Sequence, residues 1–283
     1  MKPQKAMHLY AQLEKKNPKL EGKGFMLFEK YDGWYGYLDT DGTIMSRQMR
    51  EIPSLKWLSE ELKIEAGTPQ GRLIFEILVE GSPVFKDLNG ILNRHEQASN
   101  AYLIVHDFIP TGEEDMAFHM RYNLAQGIVL EYEHPRVRIA TPISTIVGAN
   151  LAYWRSVADS VWEEGGEGII IKDANAPYSA GKRNSDILKI KLEKTEEMVV
   201  TGVHIGQRKY SDTLGYLLVT DVHGALHKAS GMTDGERDAW WTNPELIIHQ
   251  VVEVQFMQRL ANGSLREPRF KAVRHDKTVE ELG

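Results

Sequence analysis

The stretch Phe25-Met26-Leu27-Phe28-Glu29-Lys30-Tyr31-Asp32-Gly33 joins a short apolar run to an Asp-Gly pair. The apolar run reads as a buried strand, and Asp-Gly is a strong turn signal. Lys30 thus stands where a strand gives way to a turn, with Asp32 two residues on. There it can be held at the edge of a cleft as a covalent nucleophile. The same pattern also marks ordinary hairpins that carry a solvated lysine, so the rest of the chain has to decide between the two. Working outward, residues 35–38 and 43–46 read as strands, with Asp39-Thr40-Asp41-Gly42 as the hairpin turn between them.

The chain has 283 residues, 42% of them hydrophobic, enough for two modest domains or one large one. It contains no cysteine, which excludes disulfides, thiolate metal sites and cysteine nucleophiles. The N-terminus leads into a helix-like segment, residues 7–15, with no apolar core of signal-peptide length. No apolar run approaches the roughly 18 residues of a membrane span, and the expected location is the cytoplasm. A net charge of -6 argues against coating nucleic acid by bulk charge. Locally the balance differs. From Arg259 to Lys277 there are six Lys or Arg against Glu267 and Asp276, and Lys182, Arg183, Lys189, Lys191 and Lys194 form a second basic cluster. Such patches either bind a polyanion or are solvated faces.

Ser54 is expected to cap a helix reaching Leu62, with Leu55, Leu58 and Leu62 on one face. Residues 73–78 and 103–108 read as further strands. A helix is expected over residues 150–162, where Leu151, Trp154, Val157, Val161 and Trp162 form a core stripe. Gly165-Gly166-Glu167-Gly168 then turns into the strand Ile169-Ile170-Ile171. Beyond residue 192 the character changes to short strands at 198–205, 214–220, 225–229, 251–257 and 270–273, with one helix near 234–241. Five strands and one helix in roughly 90 residues fit a small Greek-key barrel of the OB type. The boundary is expected between Glu193 and Glu197.

Several residues on this frame carry chemistry. Arg47 follows Ser46 at a strand end, where a guanidinium can clamp phosphate or sugar. Glu76 lies inside an apolar strand, and a carboxylate there is either a functional acceptor or half of a structural ion pair. Glu167 and Lys172 place a carboxylate and an ammonium at opposite ends of one strand. Lys189 and Lys191 alternate with Leu188, Ile190 and Leu192, so both lysines point away from the core. Arg269, Lys271, Arg274, Asp276 and Lys277 concentrate charge near the C-terminus.

In order and spacing these residues resemble the covalent nucleotidyltransferases, most closely the ATP-dependent DNA ligases of the small phage type. Lys30-Tyr31-Asp32-Gly33 is similar to the nucleophile motif, and Ser46-Arg47 with Ile52-Pro53 to the motif that follows it. Glu76 falls where the family has a strand glutamate. Val105-His106-Asp107-Phe108-Ile109-Pro110 resembles the strand whose ring stacks on adenine. Glu167-Gly168-Ile169-Ile170-Ile171-Lys172 is similar to the metal-site motif, Lys189-Ile190-Lys191 to the paired-lysine motif, and Arg274-His275-Asp276-Lys277 to the motif of the OB domain. Two positions depart. Tyr35 stands where the family has an arginine, and His106 stands where it has an aromatic ring, a place Phe108 takes only in a shifted register.

The resemblance implies an α+β chain. An antiparallel-sheet, ATP-grasp-like adenylation domain over residues 1–194 is followed by an OB-fold barrel over 195–283. It implies sealing of 5′-phosphate/3′-hydroxyl nicks in duplex DNA through AMP carried on Lys30. Lys30, Lys189 and Lys191 would be catalytic, with ATP held by Glu29, Lys30, Arg47, Glu76, His106, Lys172, Lys189, Lys191, Arg274 and Lys277. Glu167 and Glu76 would hold Mg²⁺ or Mn²⁺. Arg47, Lys182, Arg183, Arg266 and Arg269 would grip nicked duplex DNA by its backbone. A monomer is expected. The alternatives are an RNA ligase, a GTP-dependent capping-type nucleotidyltransferase, and a non-catalytic nucleic-acid-binding module.

Overall fold

The computed structural model describes residues 2–9, 20–62, 70–81, 85–191, 193–260 and 262–282. The chain divides into two units, Met1–Lys191 and Leu192–Gly283.

In the first unit the strands are β1 (Lys5–His8), β2 (Gly24–Glu29), β3 (Trp34–Leu38), β4 (Ile44–Ser46), β5 (Gly71–Val79), β6 (Ala101–Pro110), β7 (Val137–Ile139), β8 (Pro142–Gly148), β9 (Gly168–Asp173) and β10 (Arg183–Lys191). The helices are α1 (Lys56–Glu61), α2 (Phe85–Leu92), α3 (Phe118–Tyr132) and α4 (Leu151–Glu163). The strands form two five-stranded sheets, ordered β1-β10-β9-β2-β8 and β4-β3-β5-β6-β7. Among the described residues of this unit, the β1–β10 and β6–β7 pairings are parallel and the others antiparallel.

Period-two alternation gives each sheet one core face and one face toward the other sheet. Phe25 and Leu27 of β2, Ile169 and Ile171 of β9, and Leu188 and Ile190 of β10 pack on Trp154 and Ala158 of α4. Trp154 is fully buried, edge-on to Phe25 at 5.0 Å. In the second sheet Leu73, Phe75 and Ile77 of β5 pack with Leu103 and Val105 of β6 against Leu55, Leu58, Leu88 and Leu92. Each such apolar side chain contributes about 1.5–3 kcal/mol when removed from water. Met26 and Phe28 of β2 point the other way and meet Ile104 of β6 together with Phe118 and Tyr122 of α3. That small core joins the two sheets beside the space between them.

The second unit holds β11 (Lys194–Ile205), β12 (Leu214–Thr220), β13 (Leu226–Ala229), α5 (Asp234–Thr242), β14 (Val251–Phe256), β15 (Gln258–Arg259), β16 (Leu265–Arg266) and β17 (Arg269–Val273). Its main sheet is ordered β13-β12-β11-β14-β17, and a parallel bridge between Ser230 and Arg269 links its two edges. Met198, Val200, Leu217, Val219, Val252, Val254 and Phe270 fill its core. Thr233 and Glu236 close a reciprocal capping box on α5.

Three sequence expectations need correction. Lys5–His8 is a strand, not the start of a helix, because pairing with β10 outweighs local propensity; residues 10–15 lie outside the described residues. Ser54 caps nothing. It sits in a 3-10 turn and its hydroxyl donates to the Leu92 carbonyl at 3.0 Å. Leu151 is 43% exposed and stands outside the core stripe that Trp154 anchors. Helix α3 was not foreseen at all. Its buried residues serve two cores, Phe118 and Tyr122 one, and Ala125, Ile128 and Val129 the other, so no single stripe marks it in the sequence.

No helix among the described residues is long and apolar enough to cross a membrane.

Candidate active site

The same alternation that fills the cores aims a set of polar side chains into the space between the sheets. A cavity of about 330 Å³ lies there, lined from one sheet by Phe28, Lys30, Ile170, Lys172 and Lys189, and from the other by Tyr35, Glu76 and His106. Its wall carries six cations (Lys5, Lys30, Arg47, Lys172, Arg183 and Lys189) against Glu29, Glu76 and Asp107. In a chain of net charge -6 this local surplus points to an anionic ligand.

Lys30 leaves β2 beside the start of β9, its N–H donating to the Gly168 carbonyl at 2.8 Å. Its Nζ meets Glu167 Oε2 at 2.5 Å. A carboxylate that holds the lysine thus comes from 137 residues away. Glu167 is itself anchored, since Trp162 Nε1 donates to its carbonyl at 3.2 Å. Gly168 is required next to it. Its φ is +138°, and a Cβ there would lie 2.2 Å from the Ile190 carbonyl oxygen. Gly33 meets a similar limit, because a Cβ would come within 2.5 Å of the Ile77 carbonyl oxygen and 2.6 Å of the Glu76 side chain.

Glu76 faces Tyr35 across the β3–β5 ladder. Burial lifts its carboxyl to about 7, with Lys30 opposing and the nearby Glu167 and Asp32 reinforcing. Burial also raises Glu29, helped by Glu164. On β10, burial and then the charges of Lys191, Lys30 and Arg183 bring the Lys189 ammonium down to about 8, with Glu167 opposing. Lys191 pairs in register with Gly168. Lys189 lines the cavity, and β10 is an interior strand between β1 and β9.

A β-bulge sets the far wall. On β5, Ile74 pairs with Asp107 and Phe75 with Val105, which leaves His106 as the extra residue of β6. His106 and Asp107 then both line the cavity. Phe108 points into the core on the opposite face, so it is His106 that faces a ligand. Lys172 Nζ donates to the His106 carbonyl at 3.1 Å and lies 3.2 Å from its Nδ1 and 4.4 Å from the Phe118 ring centre. Burial, then the Lys172 charge, hold His106 well below its ordinary pKa.

Lys172 is almost wholly buried, and burial lowers its ammonium to about 8, with Asp107 opposing and Arg121 reinforcing. Between there and the ordinary lysine value the unfolded chain binds more protons than the folded one, so stability rises with pH. The cost of this buried charge is full below pH 8 and fades toward pH 10. Relative to wild type, Lys172→Met is therefore expected to lose about 2–3 kcal/mol of stability between pH 7 and pH 10. Urea unfolding midpoints at the two pH values check it; a constant difference would contradict it.

The remaining predicted residues distribute as follows. Arg47 and Arg183 line the cavity, while Lys182 is exposed outside it. In the second unit Arg274 Nη1 and Lys277 Nζ share the carboxylate of Glu197, Lys277 at 2.6 Å, and Asp276 takes the other edge of Arg274 at 2.7 Å. Arg269 lies 3.4 Å from Glu267, and Arg266 sits on the short strand β16. Sequence reading missed Pro3, Gln4, Lys5 and Ala6, Tyr178, and the Asp107–Arg121 pair behind the bulge. Short-range pattern carries no sign of these contacts, which join residues far apart in the chain.

A strand-end lysine is thus held on a distant glutamate, beside a cation-rich cleft between two sheets. Residues 3–191 match the family model of the ATP dependent DNA ligase domain. A DNA ligase of Haloarcula marismortui is 27% identical over 294 residues, covering 89% of this chain and 51% of that protein. A DNA ligase of Haemophilus influenzae is 36% identical over 73 residues, covering 26% of this chain and 27% of its own. Among solved structures, a Lig E DNA ligase aligns with a TM-score of 0.76 at 19% identity, covering 97% of this chain and 99% of that one. Chlorella virus DNA ligase-adenylate aligns with a TM-score of 0.53 at 22% identity, covering 98% and 99%. At these identities the structures share the fold. The chain spans about half the length of the Haloarcula relative. It belongs to the ATP-dependent DNA ligase family.

Proposed function

We propose that this chain seals nicks in duplex DNA with ATP, through AMP carried on Lys30. The observation that carries the reading is the contact of Glu167 with Lys30, which lines the cationic cavity. The Lys30 amine attacks the α-phosphorus of ATP, an N–P bond forms and pyrophosphate leaves. AMP then passes to the 5′-phosphate at a nick, and the adjoining 3′-hydroxyl attacks that phosphate and expels AMP. Lys189, with Lys191 beside it, stabilises charge on the phosphoryl oxygens, the main source of rate in phosphoryl transfer. His106 and Lys172 line the end of the cavity suited to the base, and Arg47 and Glu29 complete the nucleotide contacts.

Glu167 and Glu76 suit a divalent cation. Burial, together with the Glu167 charge, raises Glu76, and Mg²⁺ is commonly bound by one or two carboxylates plus substrate phosphates. Bound there, Mg²⁺ or Mn²⁺ would neutralise the carboxylates and stabilise phosphoryl charge.

The two units, Met1–Lys191 and Leu192–Gly283, read as an adenylation domain and an OB-fold domain, divided three residues before the 194/195 boundary expected from the sequence. The strand order of the second unit and its Ser230–Arg269 bridge support the OB reading. Arg274 and Lys277, already gathered on one carboxylate, are suited to pyrophosphate. Arg47, Lys182, Arg183, Arg266 and Arg269 are assigned to the DNA backbone.

The test is gel-resolved joining of 5′-phosphorylated nicks in all-DNA and RNA-containing duplexes, with ATP, GTP or NAD as donor and Mg²⁺ present. ATP-dependent joining of the DNA nick is expected. Joining only in RNA, or only with GTP, would move the chain to another reaction, and no joining with any donor would defeat the proposal.

A further inference from the structure

Strand β1 has no part in the chemistry above, yet Pro3, Gln4, Lys5 and Ala6 line the cavity that holds Lys30. The segment is tied down closely. Lys5 N–H donates to the Lys182 carbonyl at 2.9 Å, and Gln4 N–H donates to the Tyr178 hydroxyl at 3.2 Å. The Gln4 side chain accepts from Ser179 N–H and donates to Asn184, both at 3.2 Å. Register pairs Lys5 with Arg183 and then slips before Met7, which packs on the core behind the sheet. Because of that irregularity Lys5 and Ala6, which a regular strand would point to opposite faces, both line the cavity.

Lys5 is half-buried, and among the described residues its ammonium has no ion-pair partner. Its register neighbour Arg183 is a second cation. Of the cavity's carboxylates, Asp107 is held by Arg121, and neither Glu29 nor Glu76 forms an ion pair with Lys5 among the described residues. Two adjacent cations at a cavity wall, anchored by backbone and lacking a counter-ion, are poised for an anion arriving from outside. We propose that Lys5 is a phosphate-holding residue of this cleft, placed by the N-terminal strand. The inference rests on the nick-sealing reading for the identity of the ligand. The phosphate belongs either to the bound nucleotide or to the 5′ end of the acceptor strand.

Equilibrium binding in EDTA, where no transfer occurs, separates these sources. Full-length wild type, Lys5→Ala and Lys5→Arg are titrated with ATP and with nicked duplexes bearing a 5′-phosphate or a 5′-hydroxyl. Thermal midpoints are recorded alongside. Lys5→Ala is expected to weaken one phosphate ligand about tenfold, to leave the 5′-hydroxyl duplex and the midpoint unchanged, and to be rescued by Lys5→Arg. Weakening of ATP assigns the nucleotide phosphates, and weakening confined to the 5′-phosphate duplex assigns the acceptor. Unchanged affinities, or equal weakening of both duplexes, would overturn the proposal. A wild type that binds these ligands but forms no adduct on Lys30 would instead sink the ligase reading and leave the Lys5 result standing.

Discussion

Lys30→Ala is expected to abolish attachment of AMP from ATP and to leave the fold intact. The side chain is at a strand end, so its loss opens no core cavity, and Gly168 still receives the backbone hydrogen bond of residue 30. The loss of activity by itself would not separate a nucleophile from a structural cation, because Lys30 also neutralises Glu167 at 2.5 Å. Lys30→Arg makes the distinction. Arginine keeps a positive charge on Glu167 but stays protonated at any working pH and cannot attack phosphorus. Both variants should therefore show no transfer of a labelled α-phosphate to protein, while Lys30→Arg keeps the wild-type melting midpoint. Appreciable labelling of Lys30→Arg would mean that another residue accepts AMP.

The largest effect on stability is expected at Arg121. Its guanidinium is 2% exposed and grips Asp107 with two bonds, Nε to Oδ1 at 3.0 Å and Nη2 to Oδ2 at 3.1 Å. Its Nη1 donates to the carbonyls of Met116 and Ala176, and the rings of Phe118 and Tyr178 lie under it. Arg121→Met keeps much of the volume but strands a buried carboxylate and two carbonyls. A loss of about 3–5 kcal/mol in urea unfolding is expected. Adding Asp107→Leu should recover most of it, because removing both charges avoids the desolvation cost that a single substitution leaves behind. A single variant within 1 kcal/mol of wild type, a threshold set at roughly the value of a surface pair, would show that water reaches Asp107.

These two positions also mark how far the sequence could be read. Lys30 was legible because its signal is local, an apolar strand ending in Asp-Gly. The paired lysines were legible for the same reason, since alternation with Leu188 and Ile190 sends Lys189 off the core. Arg121 was invisible. It lies in α3, whose apolar residues are divided between two cores, so neither its helix nor its burial shows as a period. His106 was only half legible. The residue could be pointed out, but not its orientation, because a bulge in β6 shifts the alternation by one at that place. Met7 and its neighbours were misread as helix, since no local feature announces the parallel partner that turns Lys5–His8 into a strand.

By itself, then, the sequence left out the strands at 5–8, 137–139 and 142–148. It determined most of the longer strands and the residues that alternate on them, the turn glycines, the change of character after residue 192, and the ordered motifs. All of these follow from side-chain pattern within a few residues. Only the tertiary structure decided that Glu167 holds Lys30, that Phe108 turns away and His106 faces the cavity, and that the N-terminal strand lines the same cavity as Lys30. Those outcomes depend on which strands become neighbours and in what register. Strand pairing is set by the summed burial of both sheets, a long-range sum that no short stretch of chain contains.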